Sequence, residues 1–141
     1  MTALSQTPAN VAVGTQDVPI KSVQYGESIL QGMPIYLHTD GKYYKASNQS
    51  ALAAEVLAIA LTPGSTDDWG IAITPSTRSG RSLVNLGATL AVGETYTLAD
   101  TAGAIGPIGD NGSGDFITIL GVAVTTALLD FQVIISGTAK A

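Results

Sequence analysis

Few residues in this chain are of the types that chemistry needs. There is one histidine, His38, just ahead of Asp40-Gly41, and there is no cysteine. A lone imidazole cannot build a multi-histidine metal site, and the absence of thiols excludes disulfides, thiolate zinc, iron-sulfur clusters and thiol catalysis. Eleven serines are present, yet none lies in a Gly-x-Ser-x-Gly elbow that would expose it as a nucleophile. A hydrolase would therefore have to be built around His38, which reads more simply as a solvated turn residue. Asp110-Asn-Gly-Ser-Gly-Asp115 spaces oxygen ligands in the manner of a calcium loop but lacks the glutamate that closes an EF-hand. A glycine-rich turn is the expected outcome. Asp67 and Asp68 are adjacent and would point to opposite faces of a strand, so they do not form an acid-base pair and are expected to cap a turn. Neither Gly-x-Gly-x-x-Gly nor Gly-Lys-Ser/Thr occurs, so nucleotide phosphate has no cradle. No catalytic residue, metal or cofactor is expected.

The elements that carry these residues are short and β-like. His38-Thr-Asp40-Gly41 is a hairpin turn, because Asp-Gly tolerates the positive φ angles of tight hairpins. Ser28 to Leu37, bent at Gly32 and Pro34, enters it and Lys42 to Ala46 leaves it. Ser50 to Leu61 has helical propensity, with Ser50 a good N-cap. We assign it one turn at 51–54 and a strand from Val56 to Leu61, for a reason given by the second half of the chain. Pro63 to Asp68 reads as a turn, Trp69 to Thr74 as a strand, and Arg81 to Asn85 as a link. Gly103 to Gly114 holds five glycines and is expected to be a long flexible hairpin or loop, followed by strands at Phe116 to Val124 and Phe131 to Ser136.

That second half repeats the first at an offset of 61 to 63 residues. Gly26 matches Gly87, Gly32-Met-Pro-Ile-Tyr-Leu37 matches Gly93-Glu-Thr-Tyr-Thr-Leu98, and Leu57-Ala-Ile-Ala-Leu61 matches Leu120-Gly-Val-Ala-Val124. Asp68-Trp69 aligns with Asp130-Phe131, so Trp69 and Phe131 are expected to be equivalent core anchors. The copy of Val56 to Leu61 is β-branched and broken by Gly121, a poor helix, which decides the ambiguity for strand. The reading is an all-β domain over 18–141, a barrel or sandwich built from copies at 26–75 and 87–137. Residues 1–17 fall outside the repeat as an extended arm. Such an arm is either a disordered terminus or a strand added to a neighbouring subunit's sheet edge, and the alternation of Val11 and Val13 favours the second.

Composition points outward from this core. Charged residues make up 12% of the chain, about half the usual quarter, while Ser and Thr contribute 27 residues. An exterior so poor in charge suggests a surface covered by other chains. Between 82 and 139 there is no Lys or Arg, and the net charge is −5. Six scattered cations cannot follow a phosphate backbone, so nucleic acid is not an expected partner. No apolar run approaches a membrane span, and Met1 to Asn10 lacks the basic start of a secretory signal. Arg78-Ser-Gly-Arg81 is the one paired basic loop and a candidate contact to an acidic partner.

Tyr25-Gly-Glu-Ser-Ile-Leu-Gln-Gly-Met-Pro-Ile-Tyr-Leu37, Asp40-Gly-Lys-Tyr-Tyr-Lys-Ala46, Ala58-Ile-Ala-Leu61, Gly87-Ala-Thr-Leu90 and Gly93-Glu-Thr-Tyr-Thr-Leu98 together resemble a family of tailed-phage capsid cement, or decoration, proteins. The likeness covers about residues 20 to 137. It implies a compact β domain on the outer surface of the virion capsid that bridges major capsid protein subunits, with no enzymatic activity. The motifs mark fold positions, so no functional residue carries over. A homotrimer is expected, with Val11, Val13, Arg78 and Arg81 as candidate capsid or inter-subunit contacts. The competing reading is a carbohydrate- or receptor-binding β module that would use Tyr43, Tyr44 and Trp69 as stacking platforms.

Overall fold

A computed structural model describes residues 3–14, 18–75 and 82–141. Alternating apolar and polar residues produce short strands, and turn-forming residues between them fix where the chain reverses. In chain order these are β1 (Val11–Val13), β2 (Ile20–Gln24), β3 (Pro34–Leu37), β4 (Tyr43–Lys45), β5 (Val56–Ala60), β6 (Trp69–Ile73), β7 (Leu83–Leu86), β8 (Thr95–Leu98), β9 (Ile105–Pro107), β10 (Phe116–Ala123) and β11 (Leu128–Ala139). Single 3-10 turns lie at Pro8–Asn10 and Ile108–Asp110. Before β5 the helix-favouring segment makes only a turn at 51–54, held by Ala53 N donating to Ser50 Oγ.

The strands form two antiparallel sheets, ordered β1-β7-β11-β10-β8-β9 and β2-β6-β5-β3-β4. Without β1, the first order is the second with every strand replaced by the one five places later. The duplication is therefore one of topology, and it begins earlier than the matching motifs, at β2 and β7. Of the link expected over 81–85, Leu83 to Asn85 belong to β7, which opens the second copy, and Arg81 lies outside the described residues. Details repeat too. The hairpin glycines Gly41 and Gly103 both have φ of 83°. A bulge interrupts the β3–β5 ladder at Leu57 and the β8–β10 ladder at its counterpart Leu120. Gly103 to Gly114, expected as a flexible hairpin or loop, completes a hairpin: it supplies β9, the return strand opposite β8, and the 3-10 turn after it.

The two sheets pack as a sandwich and are not closed into a barrel. Between them lie Val56, Ile59 and Ile73 from one sheet against Val84, Leu86, Leu98, Ile105, Leu120, Leu129 and Phe131 from the other. A second cluster fills the opposite face of the five-stranded sheet, where Ala58, Ala60 and Ala72 leave room for Tyr25, Ile29, Ile35 and Tyr43. Gly70 has to be a glycine here, since a Cβ would sit 2.5 Å from the Tyr25 hydroxyl oxygen. Tyr25 is fully buried and its hydroxyl donates to Thr62 O at 2.6 Å. Burial pushes its pKa above the ordinary value, so the phenol stays neutral.

Residues 3–14 run along their own domain. Leu4 N donates to Ile105 O, Thr7 N to Gly87 O, and the Gln6 side chain to Gly32 O and Leu86 O. The strand expected to join a neighbour's sheet instead joins β7 of the same chain, with Val11 opposite Leu86 and Val13 opposite Val84. The physical reason is that β7 offers an unpaired edge within reach, and Val11 closes over the backbone of Gly32 and Gly87.

The copies meet through equivalent residues. Asn48 follows the first hairpin and Asn111 the second; Asn48 is fully buried and Asn111 nearly so. Asn48 Nδ2 donates to Asn111 Oδ1 and to Asp100 Oδ1, both at 3.1 Å, while Asn111 Nδ2 donates to Thr97 Oγ1 at 2.7 Å. Backbone bonds Asn48 N to Ala99 O, Gly103 N to Ala46 O and Phe116 N to Asn48 O flank the pair. Asn48→Ala strips partners from several buried polar groups together. It is expected to lower the unfolding free energy by roughly 1–3 kcal/mol in urea denaturation, with strand content by circular dichroism unchanged.

Candidate interaction surface

Among the described residues no group of three or more His, Asp or Glu is placed to hold a metal. The acidic motifs close turns instead. Asp115 Oδ2 accepts from Gly112 N at 2.8 Å, and Asp68 Oδ2 accepts from Ser65 N at 2.8 Å. Asp67 takes a positive φ of 70° and pairs with Lys42. Of the expected contact residues, Val11 is buried in its own domain, Val13 is exposed, and Arg78 and Arg81 lie outside the described residues.

Trp69 corrects the expectation of a core anchor. Phe131 is fully buried, whereas Trp69 is 69% exposed. The two do not occupy equivalent places, because 61–68 joins β5 to β6 whereas only 124–127 joins β10 to β11. Ile59 pairs with Ile73 in the first copy, while its counterpart Val122 pairs with Asp130 in the second. The shortened turn shifts the last strand against the sequence alignment. Along one face of β6, Ile73 is fully buried, Ile71 is 38% exposed and Trp69 more so, as the strand runs out from beneath the other sheet. Ile20 of the edge strand β2, opposite Ile73, is 57% exposed and adds to this apolar row.

A second apolar surface lies on β11. Its first residues pair with β7 at Leu128, Leu129 and Asp130, and Phe131 N donates to Ser82 O. From Gln132 to Ala139 the strand pairs with β10 alone among the described residues. This overhang has no charged side chain, and Ile134, 61% exposed, and Ile135, 41% exposed, point to its two opposite faces. At its root Asp130 Oδ1 is buried without a hydrogen-bond partner. Exposed strand edges normally carry a charge or a proline that blocks further pairing, and residues 132–139 contain neither.

The third cluster is polar and aromatic, at the β3–β4 hairpin. The His38 and Tyr44 ring centroids are 5.1 Å apart and Tyr36 lies 6.3 Å from Tyr44. Tyr44 donates its hydroxyl to Asp40 Oδ2 at 2.6 Å, and Lys42 N donates to Asp40 Oδ1 at 2.9 Å. These bonds, the Tyr44 hydroxyl first, hold the Asp40 carboxyl below its ordinary pKa, and the same bond pushes the Tyr44 phenol up to about 12. Tyr43 is buried and accepts from Lys21 Nζ at 2.9 Å. It therefore presents no stacking face, and the expected trio of Tyr43, Tyr44 and Trp69 is not assembled into one platform. The sequence singled out Trp69 but not Ile20, Ile71 or the overhang. Only the length and lack of charge of the last strand could have signalled the overhang.

No family model, curated protein or solved structure matches this chain.

Two measurements check the surface. Trp69→Ala should change stability by no more than about 0.5 kcal/mol in urea titration, since the indole is not a core element. A carboxyl whose folded pKa is depressed stabilises above its unfolded pKa, and that contribution is lost as pH falls through the folded value. Tyr44→Phe should therefore raise the Asp40 pKa seen by carboxyl NMR titration, so that the hairpin loses its Asp40 bonds at a higher pH on acidification.

Proposed function

We propose that the chain is a structural virion protein, a capsid cement or decoration protein that binds the outer surface of a tailed-phage head and stabilises the major capsid lattice as a homotrimer without enzymatic activity. The observation that carries this reading is an exterior poor in ions that exposes large apolar side chains among the described residues: the Ile20, Ile71 and Trp69 row and Ile134 on the uncharged end of β11. Such side chains suit permanent burial against other chains better than free solution. The sequence resemblance described above points to the same class. A cement protein favours the assembled shell over free subunits, so its binding energy adds to shell stability by mass action, and several engaged copies gain avidity. In this reading Val13 and the Arg78 and Arg81 loop are contact candidates on the capsid side, while the buried Val11 acts inside its own domain.

A second reading has one observation in its favour. The exposed indole of Trp69 could stack on a sugar ring in a carbohydrate- or receptor-binding module. Trp69 is the only tryptophan, so its fluorescence reports on that event directly.

Purified protein should cosediment with capsids that lack it and not with unassembled capsid subunits. Raising salt should weaken that binding little, because few charge pairs are there to be screened. Equal binding to free subunits, or none to shells, contradicts the cement reading. A glycan-array signal accompanied by a Trp69 fluorescence change would favour the second.

A further inference from the structure

The loop after the second hairpin holds the one Asn-Gly pair of the chain, Asn111-Gly112. In such a pair the glycine nitrogen can attack the asparagine side-chain carbonyl carbon, because no side chain on the glycine shields it. A bond forms from Gly112 N to Asn111 Cγ, the bond from Cγ to Nδ2 breaks, and Nδ2 leaves as ammonia with the proton that Gly112 N gives up. Water then opens the succinimide at either carbonyl, leaving aspartate or isoaspartate at 111. The folded chain holds the two reacting groups apart. Asn111 is buried, its Oδ1 accepts from Asn48 Nδ2 at 3.1 Å, and its Nδ2 donates to Thr97 Oγ1 at 2.7 Å and to Ile108 O at 3.1 Å. Gly112 N donates to Asp115 Oδ2 at 2.8 Å. Ring closure also needs Gly112 N turned toward the Asn111 side chain, whereas the extended backbone at Asn111, with φ −70° and ψ 128°, turns it away. Gly112 itself is exposed to water.

We propose that Asn111 is a deamidation site guarded by the joint between the two copies, so that an opening of the joint is turned into a lasting chemical change. Only the second copy carries the reactive pair, since Asn48, at the repeat offset, is followed by Gln49. The reaction is slow beside local opening and closing, so its rate follows the fraction of molecules in which the joint is open. The product does not rebuild the joint. A carboxylate at 111 has no N–H to give to Thr97 Oγ1 or Ile108 O, and it stands near Asp100, whose Oδ1 accepts from the same Asn48 amide. Lys140 Nζ, the cation at this loop, already donates to Asn111 O at 2.7 Å. Isoaspartate also adds a carbon to the main chain and displaces the turn that Asp115 closes. Buried polar groups left without partners make each modified molecule easier to open again. The inference concerns the chain alone and is independent of the capsid reading.

Peptide mass spectrometry after incubation at mildly alkaline pH reads the reaction as amide-to-acid conversion at Asn111, with isoaspartate detected alongside. Conversion in the native chain should be at least about tenfold slower than in the urea-unfolded chain. Asn48→Ala should speed it in the folded protein by about fivefold or more. Raising urea toward the unfolding midpoint should do the same in the unmodified chain, so the test does not depend on how well that variant folds. Gly112→Ala has room, the nearest atom to a Cβ there being Asp115 Oδ2 at 3.8 Å, and should fold normally while suppressing the reaction in urea. Asn111→Asp should unfold at a lower urea concentration than the unmodified chain. The proposal is overturned if native and unfolded chains convert Asn111 at the same rate, or if neither Asn48→Ala nor urea accelerates conversion. It is equally overturned if Asn111→Asp is as stable as the unmodified chain.

Discussion

The two halves of this protein are held in register where the duplication brings a residue against its own counterpart. Asn48 and Asn111 meet between the sheets, buried and joined amide to amide. A buried amide left without partners costs more than an ordinary hydrogen bond returns, so the pair tolerates few relative positions of the two copies. The apolar core alone would not be so exacting, since Ile, Leu and Val side chains can repack with modest loss. Around this joint, backbone bonds at Ala46, Ala99, Gly103 and Phe116 make the hairpin of each copy part of the other's boundary. The Thr118 hydroxyl, donating to Ala54 O at 2.6 Å, adds a further polar tie between them. The sandwich follows from two similar units sharing one interior, with β1 laid along β7 as an addition to the second.

Much of this architecture is legible in the residues. Asp40-Gly41 marks its hairpin, the repeated Gly-and-strand pattern marks the copies, and the comparison of Val56–Leu61 with its β-branched counterpart settles a helix-strand ambiguity correctly. Other features escape because they depend on distant pairing. Glycine content over 103–114 left hairpin and loop both open, and only the pairing of Ile105 and Gly106 with Leu98 and Thr97 decides for the hairpin. Sequence alignment paired Trp69 with Phe131, but a connection of different length moved the strand ladder and left one ring outside and the other within. Local pattern cannot report such a shift, because register is set by partners across the sheet. Asn48 and Asn111 do stand at the repeat offset, and that spacing was the available sign of their joint role.

The candidate surface is the part least visible in the sequence. Ile20, Ile71 and Trp69 look like ordinary alternating strand residues, and nothing in their own pattern reports that exposure rises from Ile73 through Ile71 to Trp69 along β6. The β11 overhang is similar: the strand is longer than its counterpart β6, and from Gln132 on it pairs with β10 alone among the described residues. Gly121, at φ 151°, belongs to the same region; any Cβ there would collide with the Asp130 carbonyl oxygen, so the close approach of β10 and β11 at the root of the overhang requires it. Placing apolar, uncharged residues at the surface leaves them open to association, which a protein that works only in an assembly can use.

Amide hydrogen exchange compared between the dilute chain and the assembled protein tests this account most directly. It predicts slow exchange around Asn48 and Asn111 in both states, together with fast exchange in the dilute chain, slowed on assembly, at those amides of 20–24 and 132–139 that point away from β6 and β10. Edges already protected in the dilute chain, or edges whose exchange is unaltered by assembly, would contradict it.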